Sequence, residues 1–456
     1  MGRQGLLGAL SPGGTTLAWR APEGVWATYG DLADRVEALS RRYPPGRQLV
    51  WLPFGTTTVH LAHYLLGLRD GHVMMLADPA LPAEQVASEM RRFGVSVAVG
   101  ADAEPTLCGP PPALDPSLAL MLPTSGSTGG RKWVRLSHAN LIANAQAIVE
   151  YLQLAPADRA VTSLPLFHAY GLSVLNSHLL VGASLVATTE GPLARGFWEV
   201  VASERVTHFA GVPFTWRTLA RLRFDLARYP HLMTLTQAGG RLEPELVLHF
   251  AAAAKAHGRR FFVMYGQTEA APRMAFLTTE EALEAPEAIG RAIPGGVLSI
   301  RPVPGAPEGE GELVYRGANV MLGYAETAVD LARGPDLAEL STGDLARQDA
   351  AGRFHITGRL SRFVKLAGRR MNLADIETWL AAYGHEAAAL GEDERLDVAV
   401  EGASEAALAP LGRSLAAWLK VPPALVRVAS VPALPRTANL KVDYPRLRLL
   451  LAGGSP

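Results

Sequence analysis

From about Thr28 to residue 280 the sequence alternates helical periodicity with short apolar runs, and this rhythm restricts the chain to one class of architecture. Stretches such as Tyr29 to Arg42 and Val59 to Arg69 repeat apolar residues at helical spacing, whereas Gln48 to Leu52, Val73 to Ala77 and Val95 to Val99 are short and almost continuously apolar. Strand and helix in turn predict parallel-sheet α/β architecture, because a crossover helix packs back onto the sheet it leaves. The pattern continues through Leu118 to Leu122, a helix candidate at Ala139 to Leu152, and further runs at Ala160 to Leu164, Ser184 to Thr188, His208 to Val212 and Phe261 to Met264. Asp102 to Pro116, rich in proline and acidic residues, reads as a surface connection.

Between Gly290 and Asp349 the texture changes to short segments broken by glycine and proline, with strand candidates at Val297 to Val303, Gly311 to Tyr315 and, just beyond, Gly352 to Thr357. This predicts an antiparallel unit. A boundary is expected near Gly358 to Arg362. Beyond it, helix candidates at Leu373 to Tyr383 and Glu405 to Leu419 combine with strands near Asp397 to Glu401 and Arg427 to Val431. The expected fold is therefore α/β, with a large N-terminal domain over residues 1–359 made of two α/β subdomains and a small antiparallel β subdomain. A small α+β C-terminal domain spans residues 360–456.

The 43 basic and 43 acidic side chains cancel, so nothing draws this chain toward nucleic acid or an anionic membrane. One cysteine, Cys108, forms no internal disulfide, and no Cys/His cluster has the spacing of a zinc site. The N-terminal residues lack a basic stretch followed by a long apolar run, and no segment has the length of apolar sequence that a membrane span needs. A soluble cytoplasmic protein is expected. The basic residues are almost all arginine, with lysine only at Lys132, Lys255, Lys365, Lys420 and Lys441. Each lysine is therefore informative.

The strongest local signal is Thr124-Ser125-Gly126-Ser127-Thr128-Gly129-Gly130-Arg131-Lys132, which follows an apolar strand and precedes the helix candidate at Ala139. Glycines let backbone N–H groups turn toward an anion, hydroxyls add donors, and a lysine supplies a point charge. A phosphate cradle and a flexible Gly/Ser linker compete as readings. The loop is not the common Gly-Lys-Ser/Thr nucleotide motif, since Arg131 precedes Lys132 and Trp133 follows it, and no G-x-S-x-G nucleophile elbow overlaps it.

Together with four further segments this loop resembles the adenylate-forming enzymes, a family of acyl-CoA synthetases, aryl-acid ligases, peptide-synthetase adenylation domains and luciferases. Tyr265-Gly266-Gln267-Thr268-Glu269 is similar to the family's Tyr-Gly-x-Thr-Glu element, and Ser341-Thr342-Gly343-Asp344 to its ribose-binding segment. Gly358-Arg359 through Lys365 is similar to its hinge, and Pro435-Arg436-Thr437 through Lys441 to its C-terminal lysine loop. The five segments occur in the family's order, and three of the five lysines fall inside them.

The resemblance implies ATP and Mg²⁺ as cofactors and assigns roles. Thr124, Ser125, Gly126, Ser127, Thr128, Gly129 and Lys132 would hold phosphates. Glu269 would ligate Mg²⁺ through a hard oxygen, with Thr128 and Thr268 beside it. Asp344 would accept from the ribose hydroxyls, Arg359 would donate to the ribose, and Ala238, Gly239, Gly240 and Arg241 with Tyr265 and Gly266 would enclose adenine. Lys441 would bring a cation to the reacting phosphate when a mobile C-terminal lid closes, and the lid would then pivot at Ser361 to bring Gly368 to a thiol channel. Relatives usually carry Asp or Lys at the pivot, and glycine where this chain has Leu440.

Leu164-Pro165-Leu166-Phe167-His168-Ala169-Tyr170-Gly171 resembles the element lining the acid pocket of acyl- and aryl-CoA synthetases. His168, the one ionisable group before Tyr170, would touch the reacting acid, and Tyr170, Gly211 and Met264 would line the pocket. Amino-acid-activating relatives place an aspartate near here, so an acid without an α-amino group is implied. Met264 stands where many relatives have glycine, and its thioether is expected to favour a small or narrow acid. The acceptor would be CoA or the phosphopantetheine of a carrier protein. An amine acceptor and a catalytically silent nucleotide- or acyl-binding protein are the alternatives.

Overall fold

Side-chain caps set where the helices of the parallel units begin. Thr28 and Asp31 form a reciprocal capping box ahead of the helix Tyr29–Ser40, Thr57 accepts from the N–H of His60 ahead of Thr58–Asp70, and Ser137 with Asn140 repeats the box ahead of His138–Leu152. Thr58–Asp70 stops at Gly71, whose φ of 78° releases the chain into the strand Val73–Ala77.

The structure, a computed structural model, describes residues 5–100, 103–124, 132–304, 306–360, 363–367, 369–392, 394–436 and 442–452. Among these, seven strands form one sheet in the order Gly323–Ala325, Trp133–Ser137, Leu118–Pro123, Val73–Ala77, Leu49–Pro53, Val97–Val99, Pro105–Leu107. The four strands from Leu118–Pro123 to Val97–Val99 run parallel. A nine-stranded sheet has the order Arg291–Ala292, Arg273–Leu277, Arg260–Gly266, Thr234–Gln237, His208–Gly211, Arg159–Val161, Ser184–Val186, Leu17–Arg20, Trp26–Thr28. It is parallel from Arg260–Gly266 to Leu17–Arg20. One core joins side chains of both sheets through four helices, of which Thr58–Asp70 is buried from Leu61 to Leu68. Its polar groups are satisfied inside that core: Tyr64 donates to Asn176 Oδ1 at 2.8 Å, and His63 Nδ1 meets the Tyr43 hydroxyl at 2.7 Å.

Two sequence expectations are corrected. The segment from Thr124 to Lys132 does not lead from strand to helix: Trp133–Ser137 pairs antiparallel with Leu118–Pro123, so the segment connects a hairpin, and the helix starts at His138. The strand is hidden from a hydropathy reading by Arg135, which is wholly buried. Its guanidinium is paired with Asp336 at 2.6 Å and donates to the carbonyls of Leu322, Tyr324, Arg333 and Gly334. The Asp102 to Pro116 connection also carries the short edge strand Pro105–Leu107, and Arg47 fixes its far end by donating to the carbonyls of Asp115 and Leu118 at 2.9 and 2.5 Å.

The antiparallel unit consists of Gly296–Pro302, Glu310–Gly317, Leu340–Gln348 and Phe354–Arg359, neighbours in that order. Leu340–Gln348 escapes a sequence reading because Ser, Thr, Gly, Asp, Arg and Gln interrupt its few apolar residues; pairing on both sides makes it a strand. The C-terminal part holds the hairpin of Phe363–Leu366 with Arg369–Asn372, a sheet of Ala387–Glu392, Arg395–Glu401 and Val426–Val431, and helices Leu373–Ala382, Glu405–Leu419 and Tyr444–Leu451. Its two core clusters draw only on residues from Val364 onward. Among the described residues no helix is long and apolar enough to cross a membrane.

Candidate active site

The Tyr265 to Glu269 element begins at the end of the strand Arg260–Gly266. Gly266 faces Arg273 across a bulge, and a methyl group added there would overlap the carbonyl oxygen of Pro272, so the turn closes only on glycine. The turn is then held from outside. The Asn319 side chain donates to the carbonyls of Ala270 and Arg273 at 2.6 and 2.9 Å, Asn144 donates to the Arg273 carbonyl at 2.9 Å, and the Met321 N–H donates to the Glu269 carbonyl at 2.8 Å. Gly266→Ala should cost about 1–3 kcal/mol by overpacking. The check is a lowered urea midpoint at unchanged m-value; an unchanged midpoint would show that the bulge relaxes around a side chain.

Asp344 and Arg359 stand opposite each other on neighbouring antiparallel strands. The Asp344 carboxylate is 2% exposed: Oδ1 accepts from Arg359 Nε at 2.6 Å, and Oδ2 accepts from the Tyr265 hydroxyl at 2.5 Å and from Gln267 Nε2 at 3.2 Å. Gln267 also donates to the Thr342 carbonyl at 2.9 Å, which fixes its amide. Burial, and then the adjacent Asp344 charge, push the Tyr265 hydroxyl well above the ordinary phenol range, so it stays a protonated donor. Tyr265, Asp344 and Arg359, from three separate segments of the sequence, thus form one hydrogen-bonded cluster.

A second cluster links the far end of the Gly/Ser loop to Glu269. Lys132 Nζ lies 3.0 Å from Glu326 Oε1 and 5.7 Å from the centre of the Tyr324 ring, and the Tyr324 hydroxyl donates to Glu269 Oε1 at 2.7 Å. Burial, then the charge of Glu269, raises the Tyr324 hydroxyl above its ordinary value, so this group too remains a donor. The Lys132 and Glu326 side chains are 41% and 57% exposed, and a pair so solvated contributes at most about 1 kcal/mol. Among the described residues no three His, Cys, Asp or Glu side chains gather as a metal cage. A single carboxylate, Glu269, with Lys132 reached through Tyr324, fits magnesium, which keeps water and substrate oxygens as most of its ligands.

Around the expected acid pocket, His168 occupies the N-cap position of the helix Ala169–Leu180, with its ring 4.4 Å from that of Phe167. Tyr170 places its hydroxyl 3.1 Å from both the carbonyl and Oγ1 of Thr236, and burial raises its pKa. Gly239 has φ of 87°, and a Cβ there would sit 3.3 Å from Val212 Cγ1 and 3.9 Å from the Tyr170 ring; Gln237 Nε2 ties the same loop by donating to the Gly240 carbonyl at 2.8 Å. At Gly211 a Cβ would come 2.7 Å from the Trp216 indole nitrogen, which donates to the Gly211 carbonyl at 3.1 Å. Met264 is buried; its sulfur accepts from the Tyr151 hydroxyl at 3.1 Å and touches the Arg273 guanidinium. Arg241 lends its carbonyl to Arg217, and Thr268 opens the short helix Thr268–Ala270. Ser125, Gly126, Ser127, Thr128, Gly129, Ser361, Gly368 and Lys441 lie outside the described residues.

Sequence reasoning did not single out Tyr324, Asn144, Asn319 or Arg273, and it treated Gln267 as a spacer. Gln267 alone had a local signal, its place inside the Tyr265 to Glu269 element. The others act across 46 to 129 residues of chain, from segments with no motif of their own.

Residues 70–325 match the family model described as AMP-binding enzyme. The chain is 30% identical over 418 residues to a feruloyl-CoA synthase of an Amycolatopsis species, covering 84% of this chain and 82% of that protein. ATP-bound MatB of Rhodopseudomonas palustris superposes with a TM-score of 0.80 at 22% identity, over 99% of each chain. O-succinylbenzoate coenzyme A synthetase of Bacillus subtilis, in complex with ATP and magnesium ion, superposes with a TM-score of 0.79 at 19% identity, over 97% of this chain and 98% of its own.

Proposed function

Because this chain belongs to the AMP-binding enzyme family, we infer that it activates a carboxylic acid with ATP and passes the acyl group to a thiol. It is an AMP-forming acid–thiol ligase. The observation that carries the reading is the meeting of Tyr265, Asp344 and Arg359 at 2.5 and 2.6 Å, which joins the Tyr-Gly-x-Thr-Glu, ribose and hinge segments at one point.

In the first half-reaction a carboxylate oxygen attacks the α-phosphorus of ATP, the bond to the bridging oxygen breaks, and pyrophosphate leaves. Both reactants are anions, so the reaction needs fixed cations where charge gathers. Lys132 would release Glu326 and take a phosphate oxygen, and Lys441 would supply the second ammonium. Glu269, with Thr128, would hold magnesium, which neutralises phosphate charge when bound. Asp344 Oδ1, which accepts from Arg359 alone, has lone-pair capacity left for a ribose hydroxyl, and Oδ2 can take one where Gln267 yields its place, while Arg359 and Tyr265 keep the carboxylate in place. In the second half-reaction the thiol sulfur attacks the acyl carbon and AMP leaves with its bonding pair.

We place the domain division between residues 359 and 360, supported by the separate cores from Val364 onward. The C-terminal domain would act as a lid that excludes water from the mixed anhydride. Ser361 is the proposed pivot, and Gly368 the proposed opening for the thiol. The acid pocket would lie among His168, Tyr170, Gly211 and Met264, and the absence of a carboxylate from Leu164 to Gly171 favours an acid without an α-amino group. The acceptor would be CoA or a carrier-protein phosphopantetheine, and an exposed, unpaired Cys108 suits a reducing cytoplasm.

Acid-dependent exchange of labelled pyrophosphate into ATP tests the first half-reaction, and mixing acid, ATP and Mg²⁺ with CoA, a carrier protein or amines tests the second. Exchange with thioester formation is expected. Exchange followed only by amide formation would replace the thiol with an amine. ATP binding without exchange across a broad acid panel would mean a silent nucleotide-binding protein.

A further inference from the structure

We propose that the acid pocket selects a substrate with a second carboxylate, and that Arg273 binds that distal group. The inference rests on the ligase reading and names the substrate class of the same site: a dicarboxylic acid, activated at one end and held at the other.

Arg273 is 2% exposed. Its Nε and Nη2 both donate to the Ser173 hydroxyl, at 3.2 and 3.1 Å, its Nη1 points at the Met264 sulfur, and the Tyr170 ring centre lies 4.3 Å from the guanidinium carbon. All these partners are neutral, and among the described residues no carboxylate pairs with it. Arg135, still more buried, is answered by the Asp336 carboxylate and four carbonyls. A guanidinium has five N–H donors, and Arg273 turns them to the Ser173 hydroxyl, the Met264 thioether and the hydroxyls of Tyr151 and Tyr170, none of them charged. A buried cation with only neutral partners is costly, and a desolvated anion is the partner that relieves it.

Arg273 touches two of the residues proposed to line the acid pocket, Tyr170 and Met264. Tyr170 stands between Arg273 and the Ala238 to Arg241 loop, with its ring 3.9 Å from where a Gly239 Cβ would sit. The guanidinium is therefore one aromatic ring away from the loop proposed to enclose the adenylate. The Asn144 and Asn319 side chains pin the Arg273 carbonyl, so the backbone beneath the cation is fixed. The Met264 thioether on Nη1 is a weak acceptor on a side chain with three rotatable bonds, and a carboxylate arriving there replaces it with a charged one. A neutral isostere would leave the cation unpaired, and this kind of site discriminates strongly.

The test is pyrophosphate exchange by the full chain with ATP and Mg²⁺, using matched pairs: glutarate and monomethyl glutarate, adipate and monomethyl adipate, isophthalate and monomethyl isophthalate. The wild type is expected to use the diacid with kcat/KM at least about tenfold above its ester in one or more pairs. Arg273→Met should abolish that preference through the KM of the diacid, with the KM of ATP unchanged, and Arg273→Lys should restore part of it. Equal or better use of the ester by the wild type in every pair overturns the proposal, whether or not the methionine variant folds. So does a methionine variant that folds and loses both members of a pair equally, because the arginine is then structural. Exchange with monocarboxylic acids alone sinks this inference and leaves the ligase; exchange with no acid sinks the ligase reading and this inference with it.

Discussion

Lys441→Ala is expected to lower acid-dependent pyrophosphate exchange by about a hundredfold to a thousandfold, the usual loss when one preorganised charge at a developing oxyanion is removed. The reasoning is electrostatic. Two anions must meet at one phosphorus, and the chain carries five lysines, of which Lys132 and Lys441 lie in segments similar to phosphate-contacting ones. Lys132 sits in a solvated pair with Glu326 and is therefore available. A second ammonium that arrives only on lid closure stabilises the transition state more than the bound ATP, so kcat should fall with little change in the KM of ATP. The thermal midpoint should stay at the wild-type value. Wild-type exchange in this variant would refute the lid lysine as a catalytic group, while adenylate supplied from outside should still be converted to thioester.

The second large effect is expected at Asp344. Removing the carboxylate leaves the Tyr265 and Gln267 donors without their acceptor, at about 1–3 kcal/mol for each buried group, while Arg359, 54% exposed, turns to solvent. Here three donors, from Arg359, Tyr265 and Gln267, converge on one carboxylate. Part of that cost should appear as lost nucleotide affinity: Asp344→Ala should raise the KM of ATP by about a hundredfold, or about 2.7 kcal/mol, and leave the KM of the acid nearly unchanged. Asp344→Asn keeps the shape, offers one carbonyl oxygen and should fall between the two. Exchange kinetics at varied ATP beside a denaturation curve separate binding from stability, and an alanine variant with wild-type KM for ATP would remove Asp344 from the nucleotide site.

Elements governed by local signals are legible in the amino-acid sequence alone. Val73–Ala77 and Glu405–Leu419 have the bounds that periodicity predicts, and the antiparallel texture after Gly290 is a four-stranded antiparallel sheet. What the sequence hides depends on distant partners. The strand holding Arg135 is legible only when Asp336 and the carbonyls that neutralise it are in view. The strands Leu17–Arg20 and Trp26–Thr28 complete a sheet whose other members begin at Arg159. The site divides the same way. Tyr265, Asp344 and Arg359 announce themselves by short motifs, whereas Asn144 steadies the turn after Glu269 from 129 residues away in the chain. Arg273 looks like one arginine among many until the structure shows it buried, with no carboxylate paired to it among the described residues.

The strand that carries Arg359 does not end freely: the N–H of the next residue, Leu360, donates to the Gly343 carbonyl at 2.7 Å, on the turn just before Asp344. If Ser361 is the pivot, as proposed, the swinging arm would be bolted to the turn proposed to hold the ribose, one residue before its axle. Torque on the arm and grip on the nucleotide would then pass through a single peptide, so an enzyme emptied of AMP and one still holding it would offer the arm different resistance.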